Sequence, residues 1–198
     1  MAEIRYRQPV IELIANRELK KYRGGICLYG NPRPVPIEEM IEQVYDISIE
    51  YHHIRKYFIV LGQTVFEDSF IPIYDCEKSA YTAIEVSANT IVIDSRLLQP
   101  QYATRLRFTY AHELAHWLLH QEQFKNTGES AALINHAKNT NDNLEREADS
   151  LCASILLPKG PVKKAFYSAP RSLADKNVAV KHVAQIFRVS EQATKIRL

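Results

Sequence analysis

The chain has 198 residues, with 25 lysines and arginines against 23 aspartates and glutamates, giving a formal charge of +2 at pH 7. That length accommodates one domain with a sizeable core. So small a net charge excludes a protein drawn to nucleic acid or a membrane surface by its overall field. The three cysteines, Cys27, Cys76 and Cys152, are too widely spaced for a cysteine zinc site, and their odd number fits a reducing compartment. No apolar run is long enough to span a bilayer, and the opening from Met1 to Arg7 is charged where a secretory leader would be apolar. A soluble, cytoplasmic protein is expected. The basic runs Arg17 to Arg23 and Lys159 to Lys164 read as solvated faces.

In chain order, residues 9–22 carry Ile11, Ile14, Ala15 and Leu19 at helical spacing. Gly24-Gly25 and the proline-rich stretch 31–36 then interrupt the pattern, so residues 1–30 read as an N-terminal helical extension and 31–198 as the main domain. Ile37, Met40, Ile41, Val44 and Tyr45 give the next helix, and His52-His53 fall near its far end as surface residues. Stretches 57–65, 71–74, 81–87 and 90–94 are rich in β-branched and aromatic residues and read as strands, the last two joined by a tight turn at Ala88-Asn89. Leu106, Ala111, Leu114, Ala115, Leu118 and Leu119 mark a largely buried helix from Arg105 to His120. After a polar segment, 121–143, comes a helix that starts near the Asn141-Asp142-Asn143 cluster and stops before Pro158. A last helix pair occupies 178–198, with Val189-Ser190 as its turn and N-cap. The predicted class is α+β: a small mixed or antiparallel sheet packed on helices, with a cleft between them.

The most informative residues are His112-Glu113-Leu114-Ala115-His116. Positions four apart on a helix share a face, so His112 and His116 can offer two imidazoles to one metal ion. Glu113 follows the first histidine and brings a carboxylate beside the metal, where it can take a proton from a metal-activated water. A third ligand is needed, and the segment from Asn143 to Asp149 supplies candidates. Glu145 and Asp149 share a helix face, which can present Glu145 to the metal while Asp149 accepts the outer N–H of a liganding histidine. Glu147 points roughly the other way, toward solvent or the rim, and is the rival third ligand. His120 also falls near the metal on spacing, but the set His112, His116 and Glu145 is already complete. His136, Tyr110 and Tyr102 are candidates to stabilise an oxyanion, and no spacing rule chooses among them.

The string from Arg107 to His120 resembles the first motif of the ImmA/IrrE family of metallopeptidases, and Glu145 to Pro158 resembles the second. Weaker likenesses at Pro34–Glu42, Asn89–Asp94 and Val183–Leu198 extend the resemblance over roughly residues 34–198. Ala115 stands where many relatives carry glycine. The resemblance implies a zincin-like fold, one zinc ion per chain and an endopeptidase activity. It also implies a bacterial or phage setting and a helix-turn-helix (XRE-like) repressor as protein substrate. The ligand set accepts other divalent metals as well. The alternative is a binding protein that keeps the zincin-like fold and antagonises a repressor, or binds DNA, without hydrolysis. The C-terminal pair 178–198 is too short for a complete DNA-binding domain, so direct DNA binding is not expected.

Overall fold

In the computed structural model, which describes residues 6–125, 142–169 and 176–198, helices carry a small mixed sheet and a separate hairpin. The N-terminal part contains α1 (Gln8–Lys21), the short α2 (Ile26–Tyr29) and α3 (Ile37–Tyr45). The strands are β1 (Ser48–His52), β2 (Gly62–Val65), β3 (Ser69–Asp75), β4 (Ala80–Val86) and β5 (Thr90–Asp94). The second half is helical: α4 (Ala103–Lys125), α5 (Asp142–Leu156), α6 (Lys159–Tyr167), α7 (Lys176–Phe187) and α8 (Glu191–Arg197). The architecture is α+β, as its composition and patterning predict.

The main sheet has the order β1-β5-β2, with β1 parallel and β2 antiparallel to β5. Every residue of β5 is buried, which explains its unbroken run Ile91-Val92-Ile93. One core joins Ile91, Ile93 and the apolar faces of α3, α4 and α5, with Leu114, Ala115, Leu151, Cys152 and Ile155 fully enclosed. Ile11, Ala15 and Leu19 of α1 belong to that same core, so residues before 31 share it with those after. A smaller cluster, including Ile54, Val65, Ile71 and Val92, lies between the sheet and the β3–β4 hairpin. At the α1–α3 junction the buried Glu18 is held by Arg17, Lys21 and the Tyr45 hydroxyl, at 2.6, 2.5 and 2.7 Å. A buried carboxylate needs such partners to be tolerated.

Three sequence expectations change. Only Gly62–Val65 of the stretch 57–65 is strand. Antiparallel pairing with β5 runs from Gly62 to Val65, the Leu61 carbonyl accepts a last bond from Asp94 N–H at 2.8 Å, and β5 then turns into a 3-10 turn at Ser95, leaving residues 57–60 nothing to extend the ladder with. His52 ends strand β1 rather than lying near a helix, and its Nε2 is 2.9 Å from Glu50 Oε2. Asn89 does turn the chain, at φ 55°, but β4 pairs with β3 while β5 pairs with β1 and β2. The basic run at 159–164 is the solvated face expected of it: it lies in α6, where Val162 and Ala165 are buried and Lys159, Lys163 and Lys164 face out.

Candidate metal centre

The site forms where α4 packs on α5. The α4 residues Leu114, Ala115 and Ala111 bury one side of the helix, which turns His112 and His116 together toward α5. Their Nε2 atoms are 3.0 Å apart. From α5, Glu145 brings Oε2 to 3.2 Å from His112 Nε2 and Oε1 to 3.4 Å from His116 Nε2. A tetrahedral zinc ion with ligand bonds of about 2.0–2.1 Å sets neighbouring donors about 3.3 Å apart. The triangle of two imidazole nitrogens and a carboxylate therefore fits such an ion, and among the described residues it is the group of three that does so. Two ring nitrogens facing each other at this distance need something between them, a proton or a cation, to hold both lone pairs.

The electrostatics point the same way. Burial works against a charge on His112. The hydrogen bonds of Asp149 and Glu145, with the Glu113 charge behind them, outweigh it and push the group up to about 10. Hydrogen bonds from His112 and then His116 hold Glu145 well below the usual carboxylate range. The field that retains a proton on His112 is the field a divalent cation would use. Access is one-sided: the Glu145 side chain is 47 % exposed and that of His116 only 5 %.

Each predicted site residue has a definite place. Asp149 Oδ1 lies 3.0 Å from His112 Nδ1, on the ring edge away from the donor triangle. Glu113 is 4 % exposed, with the Thr64 hydroxyl of β2 donating to its Oε2 at 2.8 Å and to its backbone oxygen at 3.1 Å. Glu147 departs from expectation. It is buried, accepting a hydrogen bond from the Tyr6 backbone N–H at 2.7 Å, with its other oxygen 3.4 Å from His120 Nε2. The physical reason is that α5 is covered on two sides, by α4 and by α1, so the side opposite Glu145 meets the N-terminal segment instead of water. His120 is fully buried, with Nδ1 3.0 Å from His116 Nδ1. Burial first, and then His116, hold it near 3, so its ring is neutral.

Among the oxyanion candidates, Tyr110 is turned away: its hydroxyl is 2.5 Å from that of Tyr51 and 3.5 Å from Glu38. Tyr102 packs edge-on to Phe58 at 5.1 Å. His136 lies outside the described residues. Sequence reasoning missed Gly62 and Thr64, both on β2 and both against Glu113. A glycine inside a strand pattern is itself a signal of close backbone approach, and it was available at Gly62.

Two histidines one helical turn apart, a glutamate following the first and an acid from the next helix make this an HExxH-type metallopeptidase architecture. Residues 74–198 match the IrrE N-terminal-like domain of peptidase family M78, and the chain belongs to that family. No curated protein matches the chain. The match begins inside β3, so α1, α3, β1 and β2 lie before it. No described helix is long and apolar enough to cross a membrane.

Proposed function

We propose that the protein is a zinc-dependent endopeptidase of the cytoplasm that cuts a helix-turn-helix repressor. The observation that carries this reading is the donor triangle that Glu145 of α5 completes with His112 and His116 of α4, the helix that also bears the buried Glu113. Two neutral imidazoles and one carboxylate suit zinc, and leave a position for water or substrate. Zinc held there would supply a Lewis acid for the scissile carbonyl and bring the pKa of water near 7.

The chain's own residues do the rest. The Thr64 hydroxyl orients the Glu113 carboxylate by donating to Oε2, and that carboxylate accepts a proton from the attacking water and returns it to the leaving amine. Burial of Glu113 keeps bulk water from competing for that proton. Asp149 fixes the tautomer of His112 by accepting from Nδ1. The exposed flank at Glu145 gives an extended substrate a way in. A repressor as substrate rests on the resemblance to the ImmA/IrrE proteins. The α7–α8 pair buries Val183 and Phe187 in the common core, which supports a structural role for it and none in reading DNA.

The test is co-expression with helix-turn-helix repressors of the XRE-like class, comparing wild type and Glu113→Gln by intact mass. A discrete cut made by wild type alone supports the reading. A regulator bound but left whole by both proteins would favour a non-hydrolytic antagonist.

A further inference from the structure

The two histidines of the triangle are steadied from behind in different ways. His112 has a half-exposed carboxylate, Asp149, 3.0 Å from its outer nitrogen. Behind His116 stands another imidazole, with His116 Nδ1 and His120 Nδ1 3.0 Å apart, a hydrogen-bond distance that requires one of the two to donate and the other to accept. A histidine that offers its Nε2 lone pair to a cation carries its proton on Nδ1. His116 Nδ1–H is then the donor and His120 Nδ1 the acceptor. His120 must in turn carry its own proton on Nε2, which faces Glu147 Oε2 at 3.4 Å. The other oxygen of Glu147 accepts from the Tyr6 backbone N–H at 2.7 Å. Every proton in the chain is thus assigned by the requirement at its first member. His120 is 0 % and Glu147 7 % exposed, so solvent cannot readily replace either partner.

We propose that His120 and Glu147 are positioning residues for the metal centre. They set the tautomer and ring plane of His116, and the Tyr6 backbone holds Glu147 in place, which makes the segment before α1 part of the support of the site. This rests on the reading of His112, His116 and Glu145 as ligands. Tyr6 precedes the family-matched segment 74–198, so the N-terminal stretch adds to the site a contact that the matched region does not contain. A buried histidine–glutamate pair that merely satisfied itself in the core would affect folding but not the metal. Outer partners of liganding histidines change metal affinity by about 10–100-fold when removed.

The experiment measures zinc affinity by competition with a chromophoric chelator, together with the visible spectrum of the cobalt-loaded protein and the thermal unfolding of the metal-free form. The variants are His120→Leu, His120→Asn, Glu147→Gln, Tyr6→Pro and Tyr6→Ala. The expected result is a loss of zinc affinity of about 10–100-fold in His120→Leu, with altered cobalt bands. His120→Asn, whose amide can both accept and donate, should recover part of it. Glu147→Gln should lose affinity, and Tyr6→Pro, which deletes the donating N–H, should lose more than Tyr6→Ala, which keeps it. Should His120→Leu fail to fold, the isosteric Glu147→Gln and the Tyr6 pair decide the matter. Folded variants that bind zinc like wild type and keep its cobalt spectrum would overturn the positioning role alone. A wild type that binds neither metal would overturn the ligand reading, and the inference with it.

Discussion

Gly62 and Glu113 are in contact across the β2–α4 interface: a Cβ at position 62 would lie 2.6 Å from Glu113 Oε1 and 2.8 Å from its Cγ. The strand crosses the helix where no side chain fits, and Thr109 Cγ2 closes the other side at 2.7 Å. A backbone segment far upstream thereby limits where the Glu113 carboxylate can go. Gly62→Ala must push either the strand or the carboxylate. Misplacing a reacting group by about 1 Å costs roughly 100-fold in rate. Substrate cleavage by Gly62→Ala should fall by about that factor while zinc stoichiometry stays at the wild-type value. A wild-type rate would show that the carboxylate is not constrained by the strand.

Thr64→Val removes the hydroxyl that donates to Glu113 and keeps the side-chain shape. A buried acceptor deprived of its donor costs about 1–3 kcal/mol. The variant should unfold at lower urea by that amount and cleave more slowly. Unchanged urea midpoints would mean that the hydroxyl contributes nothing to holding Glu113.

Zinc affinity should depend on pH through His112, whose proton the metal displaces. With that group pushed up to about 10, the metal-free site is protonated throughout the neutral range. Displacing one proton makes affinity rise about tenfold per pH unit between pH 6 and 8. Chelator competition at several pH values measures the slope, and a flat profile would deny a protonated His112 in the metal-free form.

Glu12 ties α1 to α8 through a two-pronged ion pair with Arg197, one arm at 2.9 Å, and Ser154 stands 3.4 Å away. The Arg197 hydrogen bond, against the opposing effect of burial, holds the Glu12 carboxyl below its ordinary 4.5. A depressed carboxyl contributes stability that is present above its unfolded value and lost as pH falls through the folded one. The wild type should therefore lose stability on going from pH 7 to below 4.5, and Glu12→Gln should lose less over the same range. Equal losses in urea melts of the two proteins would count against the pair.

Removing zinc should lower the melting temperature, because a ligand bound only by the folded state stabilises it by about 2.7 kcal/mol at one hundred times Kd. For a chain of this size each kcal/mol moves the midpoint by about 2–4 °C. Scanning with and without chelator tests this, and identical midpoints would place the metal outside the folded structure's support.

Much of the centre was legible in the residues themselves. His112, Glu113 and His116 lie on one helix, and Glu145 and Asp149 on another, so helical spacing alone groups them. The helices at 37–45, 103–125 and 142–156 carry apolar stripes that periodicity detects, and the Ser190 cap, accepting from Ala193 N–H at 3.1 Å, was visible as a turn. What spacing could not show is which side of a helix a neighbour covers. Glu147 looks solvated until α1 is laid against α5, and His120 looks redundant until Glu147 is brought behind it.

The sequence by itself determined the chemistry on offer: two imidazoles and two carboxylates at helical intervals, in a chain whose formal charge of +2 gives it no strong overall pull toward nucleic acid. Only the tertiary structure decided how that chemistry is held. Gly62, Thr64 and Tyr6 come to the site from a strand and a terminal segment dozens of residues from the histidines, and no local periodicity encodes such encounters. They arise because burying the apolar faces of α1, α4, α5 and β5 in one core leaves a single arrangement of the backbones, and that arrangement sets which polar groups must meet.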